Sequence, residues 1–222
     1  MNNIFSPLVY SMMAYGDVFR SLRFPKTTFI SCKESDVQYF IGKNDTELLI
    51  AFRGSDSRLD AIHDLMFFKR TLFCGVSVHA GFLRAYERSD VADNIRKTVC
   101  PCKVRRIYIT GHSLGAALAV LCALDLSFRV KTPIECTVFG SPRIGNSAFS
   151  ILCRRKVPSL LRVMNGNDAI CKLPPACFFY RHSGKLIHIG KRVIPFFYSF
   201  SDHKIESYLS SLLSEGGAVE CP

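Results

Sequence analysis

Hydrophobic positions along this chain switch period repeatedly. In residues 6–20, Leu8, Met12, Tyr15 and Phe19 recur at spacings of four, three and four. That is the stripe of an amphipathic helix, with Ser6 as cap and Pro7 as first helical residue. "DVQYFIG" (36–42) and "ELLIAFRG" (47–54) are rich in β-branched and aromatic residues and flank the turn "KNDT", which predicts two joined strands. "SRLDAIHDLMFF" (57–68) predicts a short helix or an irregular flap. Residues 80–99 read as helix, with Phe82, Tyr86, Val91, Ile95 and Val99 on the inner face.

The pattern then alternates. "RIYIT" (106–110) predicts a strand, followed by a glycine turn and an apolar helix, "AALAVLCALDLSFRV". "IECTVFG" (134–140) predicts a strand ending at "SPRIGN", then a helix over 147–156 and the strand "LLRVMN". "FFYRHSGKLIHIG" (178–190) predicts a hairpin around Ser183 and Gly184. The last helix spans 201–216, with Ser201 or Asp202 as cap and Gly216 as stop. Strands alternating with helices argue for an α/β fold whose mostly parallel central sheet carries helices on both faces.

Composition narrows the picture. At 222 residues, with 48% hydrophobic and 21% charged positions, the chain is expected to fold as a single domain spanning 1–222. No repeat or linker-like stretch divides it. The net charge of +11 reads either as a solvated surface or as attraction to an anionic partner, such as the surface of a membrane leaflet. No nucleic-acid recognition motif accompanies it, so no nucleic-acid partner is expected. The apolar run from Leu114 to Leu124 is too short to span a bilayer. The N-terminal residues lack a basic leader region, and cysteines such as Cys122 and Cys136 lie in apolar runs. These features predict an intracellular, cytoplasmic protein with reduced thiols. "CPC" at 100–102 has no second pair at ligand spacing, so no metal is expected.

The chemistry lies in the glycine turn. Gly111-His112-Ser113-Leu114-Gly115 places one serine where a strand becomes a helix. A serine there is lifted out of the sheet edge. The flanking glycines avoid collisions with strand and helix, and the N–H of Leu114 faces the position of a developing oxyanion. Serine is a weak nucleophile and needs a base, which in turn needs an orienting carboxylate. After Ser113 the histidines are His182, His188 and His203. The first two flank the expected hairpin turn, whereas His203 stands at the start of the last helix and is the expected base. Asp125 lies too deep in the helix after the turn, Glu135 is at the wrong end of its strand, and Asp202 reads as a cap. Asp168, on the loop after "LLRVMN", is the expected acid, because open α/β sheets place sites at the C-terminal ends of their strands.

Six stretches together resemble the class 3 (fungal-type) lipases of the α/β-hydrolase fold: "IAFRGS" (50–55), "HAGFLRAY" (79–86), "ITGHSLGAALAVLCALDL" (109–126), "FGSPRIGN" (139–146), "VMNGNDAICKLPP" (163–175) and "DHKIESYL" (202–209). The resemblance implies a serine esterase or lipase acting on acylglycerols or phospholipids without a cofactor, with Ser113, Asp168 and His203 as its triad. It also implies a second oxyanion donor at Ser55, scaffold roles for His79 and Arg143, and a bracing role for His112. The chain departs from the family in its flap. Ala61 stands where the family often has tryptophan, and the chain has no tryptophan at all. Leu59, Ile62, Leu65, Met66 and Phe67 read either as a lid face or as packing residues. "VIPFFYSF" (193–200) reads either as an acyl-chain wall or as a core strand. The rival to an enzyme is a lipase-like binding or scaffold protein without turnover.

Overall fold

The computed structural model describes residues 4–16, 21–32, 37–54, 68–87, 91–191 and 197–215. Seven strands form one sheet: β1 (Lys26–Cys32), β2 (Val37–Lys43), β3 (Glu47–Phe52), β6 (Arg106–His112), β7 (Ile134–Phe139), β8 (Leu161–Asn165) and β9 (Lys185–Ile189). They lie in the order β1-β2-β3-β6-β7-β8-β9. The first three are antiparallel neighbours, and from β3 to β9 every pairing is parallel. A separate ribbon pairs β4 (Lys69–Phe73) with β5 (Val76–His79).

Side chains alternate across this sheet, as strand geometry requires. Leu48, Ile50, Phe52, Ile107, Ile109 and Val138 enter one core. Leu49 and Ala51 enter a second core, and Phe139 and Val163 a third. The first core holds α4 (Leu114–Ser127), which packs on β3, β6 and β7. It is covered by α2 (Ala80–Glu87) and α5 (Ser147–Lys156). α4 is apolar around its circumference except at Asp125 and Ser127 near its C-terminal end, because sheet and helices enclose it. α1 (Phe5–Met13) and α6 (Ile205–Ser214) cover the opposite face and touch each other.

Five expectations need correction. The stretch 80–99 holds two helices, α2 and α3 (Val91–Val99), although the five residues read as its inner face are all buried. Residues 178–190 form no hairpin. A 3-10 turn (Ala176–Phe178) and a bridge from Arg181 to Gly145 lead into β9, which runs parallel to β8. A free edge beside β8 accepts a parallel strand, and period-two alternation cannot distinguish that strand from a hairpin arm. Ser6 and Pro7 lie within α1, whose N-cap is Ile4. The cap of α6 is Lys204, without a side-chain cap bond, because the Asp202 carboxylate is taken by the backbone N–H of Asn167 at 2.8 Å. Phe197, Tyr198 and Phe200 form an exposed loop rather than a core strand, while residues 193–196 lie outside the described residues. Gly216 and the flap readings at 55–67 also lie outside them.

Asp125, inside α4, is structural. Its carboxylate accepts from Arg96 Nε and Nη2 at 2.8 and 3.0 Å, from Arg129 Nε at 2.9 Å and from the Tyr86 hydroxyl at 3.1 Å. Burial alone would raise its pKa, but the arginine hydrogen bonds outweigh that and hold it below 3.8. Asp125→Ala is expected to cost about 2 kcal/mol in urea denaturation, because it strands partly buried guanidinium and hydroxyl groups. A depressed carboxyl contributes its full stability above the unfolded pKa. The gap between wild type and variant should therefore narrow as pH falls below about 3.8.

Candidate active site

The parallel strands end nearly level. His112 of β6 stands opposite Phe139 of β7, and Phe139 opposite Val163 of β8. The residues that follow, Ser113, Gly140 and the turn after Asn165, therefore share one edge of the sheet, the C-terminal edge. At this edge Ser113 turns the chain from β6 into α4 with φ 59° and ψ −124°. An L-residue pays strain for such a φ, and such outliers persist where surrounding packing enforces them. The enforcement comes from the two glycines. A Cβ on Gly111 would come within 2.4 Å of the Gly115 carbonyl oxygen. A Cβ on Gly115 would come within 2.6 Å of the Phe52 carbonyl oxygen. Strand, helix and β3 thus approach closely enough to fix the turn. Leu114 opens α4, so its N–H is a first-turn donor without an intrahelical acceptor.

Three elements bring the expected triad together. His203 Nε2 lies 2.8 Å from Ser113 Oγ, and His203 Nδ1 lies 2.8 Å from Asp168 Oδ2. Asp168 is fully buried. Its Oδ1 accepts from the N–H of Ile170 at 2.8 Å and of Cys171 at 3.4 Å. Its Oδ2 also accepts from the Tyr208 hydroxyl at 2.5 Å. Burial pushes the carboxyl pKa up, but the hydrogen bond and charge of His203, with Tyr208, reverse this and hold it below its ordinary value. The ionised carboxylate accepts Nδ1–H, which leaves the Nε2 lone pair to accept the Ser113 hydroxyl proton. Gly140, at φ 57°, lies flat against this pair. A Cβ there would come within 2.8 Å of the His203 ring and 3.1 Å of Asp168 Oδ2.

His112 braces the arrangement from below. Burial first, and then the neighbouring His203, push its pKa down to about 3, so its ring is neutral. Its Nε2 lies 2.8 Å from the carbonyl oxygen of His203, which can only accept, so Nε2 carries the proton. Nδ1 then accepts from the Tyr15 hydroxyl at 2.8 Å. The His112 ring stacks on that of His203 with centroids 4.6 Å apart.

The other histidines among the described residues are engaged elsewhere. His182 Nε2 donates to the Cys171 carbonyl at 2.8 Å, and burial with the charges of Arg162 and Arg143 pushes its pKa to about 3. His188 lies on β9 with Nε2 3.0 Å from the Gly166 carbonyl. His79 Nδ1 accepts from the N–H groups of Gly81 and Phe82 at the start of α2. Arg143 donates to the carbonyls of Lys172 and Pro174, which ties down the segment after Asp168. Ser55 lies outside the described residues. Sequence reasoning missed Tyr208, Tyr15 and Gly140. The signal for Tyr208 was available: an inward-facing tyrosine on the last helix must find a partner for its hydroxyl.

A parallel-dominated sheet with a serine at its strand-to-helix turn, and with acid and base on the loops that follow, is the α/β-hydrolase arrangement. The family model for Lipase (class 3) matches residues 49–178, and the chain belongs to that family. It is 31% identical over 179 residues to a secreted mono- and diacylglycerol lipase of Fusarium solani, covering 78% of this chain and 53% of that protein. It is 31% identical over 138 residues to a secreted mono- and diacylglycerol lipase of Malassezia globosa, covering 60% and 45%. Among solved structures it resembles a triacylglycerol lipase whose catalytic centre is formed by a serine protease triad, with a TM-score of 0.76 and 25% identity. That match covers 91% of this chain and 94% of the other. The chain spans about half the length of the two sequence relatives.

The expectation of a cytoplasmic protein is overturned by the two sequence relatives, both of which are named as secreted lipases. The thiol pattern behind that expectation reports packing rather than compartment. Cys122, Cys136 and Cys153 are buried because they fill the core around α4, while Cys74, Cys100 and Cys177 are exposed.

Proposed function

We propose that this chain is a carboxylic ester hydrolase that cleaves lipid esters, acylglycerol or phospholipid, through an acyl-enzyme on Ser113. The relay Ser113–His203–Asp168, with two contacts of 2.8 Å, carries this reading. His203 Nε2 takes the hydroxyl proton as Ser113 Oγ attacks the ester carbonyl. The N–H of Leu114, at the positive end of α4, stabilises the oxyanion together with the N–H of Ser55. His203 then gives its proton to the leaving alcohol and activates water for deacylation. Asp168 holds the ring in the reactive tautomer, and Tyr208, Gly140 and His112 hold Asp168 and His203 in place. The chain acts as one domain, secreted as its named relatives are, and makes peripheral contact with an anionic membrane surface.

A panel of p-nitrophenyl esters of increasing acyl length tests the substrate class. Hydrolysis by wild type that rises with chain length beyond acetate is expected. A well-folded chain inert across the panel and on emulsified acylglycerol and phospholipid would favour a binding protein that no longer turns over.

A further inference from the structure

β8 carries a buried cation that the described residues do not neutralise. Arg162 is 7% exposed, and its Nε and Nη1 are buried without a hydrogen-bond acceptor. Val163, next along the strand, enters the core that holds Leu8 of α1 and Tyr208 of α6. Alternation along the strand turns Arg162 to the opposite face, the one covered by α5. The segment that leads into β9 packs on that same helix, where Ser150 Oγ donates to the carbonyl of His182 at 2.7 Å. His182 Nε2 in turn donates to the carbonyl of Cys171.

Cations gather here and acids do not. Burial and then the charge of Arg162 lower the pKa of Arg143. Burial, followed by the charges of Arg162 and Arg143 and a smaller push from Lys172, keeps His182 neutral. Among the described residues, the groups that oppose the Arg162 charge are the Cys171 thiol and the Tyr208 hydroxyl. Burial pushes the pKa of both well up, so both are neutral. Asp168 acts on Cys171 as well, but its oxygens are taken by His203, Tyr208 and the N–H groups of Ile170 and Cys171. A buried charge with neither a counter-charge nor a full set of hydrogen bonds is strongly unfavourable, and folded proteins pair such groups.

From this cluster we infer a buried anion site, in which a small monovalent anion, chloride in ordinary salt, sits against the Arg162 guanidinium between β8, α5 and the His182 segment. The penalty of burial grows with ionic charge, which favours a halide over phosphate or sulfate. His182 Nδ1 is also buried without a partner. In the neutral ring it is a lone pair, so it reports the anion rather than holding it. The anion offsets the guanidinium charges beside His182, and the pKa of the ring rises from about 3. Cys171 links this place to the relay, because its carbonyl accepts from His182 and its N–H donates to Asp168.

Bromide is the direct probe, since it scatters anomalously. Crystals of the whole wild-type chain soaked in sodium bromide should show a buried anomalous peak in contact with the Arg162 guanidinium. In solution, sodium chloride in place of sodium gluconate at equal ionic strength should raise the thermal midpoint. The rise is about 5–10 °C when chloride stands at about 100 times its dissociation constant. Arg162→Met should abolish the rise. In gluconate this variant should be at least as stable as wild type, because an apolar side chain replaces an unpaired charge. Nitrogen NMR should show His182 titrating at higher pH in chloride than in gluconate. Water against Arg162 in the bromide crystals would overturn the proposal, leaving a solvated guanidinium. A midpoint rise that persists in Arg162→Met would overturn it as a general salt effect. A bromide peak with no chloride effect on the wild-type midpoint would mean an adventitious ion only. The crystal and wild-type arms decide the matter even where Arg162→Met fails to fold.

Discussion

Ser113→Ala is expected to lower ester turnover by about 10⁶-fold, the scale of nucleophile loss in serine-protease triads, while leaving the thermal midpoint close to wild type. The size follows from the geometry. Ser113 Oγ is the atom His203 Nε2 addresses, at 2.8 Å, and the described residues place no second hydroxyl on that nitrogen. Removing one partly exposed oxygen creates no cavity, and alanine at φ 59° bears the same backbone strain as serine. Turnover of p-nitrophenyl butyrate and a calorimetric scan on the same sample separate loss of chemistry from loss of fold. A turnover within tenfold of wild type would remove Ser113 from the mechanism.

Asp168→Asn is expected to lower turnover by about 10⁴-fold. The carboxylate oxygen Oδ2 now accepts the Nδ1 proton of His203. An amide NH₂ in that place would donate to Nδ1, drive the proton to Nε2 and leave Ser113 facing a donor. The other contacts of Asp168 do not require a charge. Asparagine Oδ1 can still accept from Ile170 and Cys171, so the loop should keep its shape. The folded carboxyl sits below its ordinary value of 3.8. Its ionisation, and the stability it contributes, are therefore lost only as pH falls below about 3.8. Acid loss of activity at higher pH must have another origin. Activity of the folded Asn variant near wild type would show that Asp168 does not set the tautomer.

The parts of this site legible in the sequence were those with a local signature. A β-branched strand, two glycines and an apolar helix mark the turn at Ser113 because steric demands there act between chain neighbours. Chain order then left few acids and bases, and Asp168 and His203 are the pair that meets. Contacts made across the fold left no such trace. Tyr208 reaches Asp168, and Tyr15 reaches His112 from the far end of α1, through packing of α1 and α6 against the sheet. Gly140 merely closes the predicted strand 134–140, and its place against His203 depends on β7 and β8 ending level. The hairpin misread at 178–190 has the same origin. Its residues alternate as strand residues do, but the partner is β8, across the sheet, rather than the preceding segment. Asp202 next to a helix start looked like a cap, yet the Asn167 N–H, a tertiary partner, takes its carboxylate.

The central claim is that Ser113 is an activated nucleophile, and a fluorophosphonate probe tests it most directly. The folded chain is incubated with the probe, and the modified peptide is located by mass spectrometry. The predicted result is one adduct, on Ser113, formed by wild type and absent from both Ser113→Ala and His203→Ala. A folded wild-type chain that stays unlabelled, or an adduct on any other residue, would contradict it.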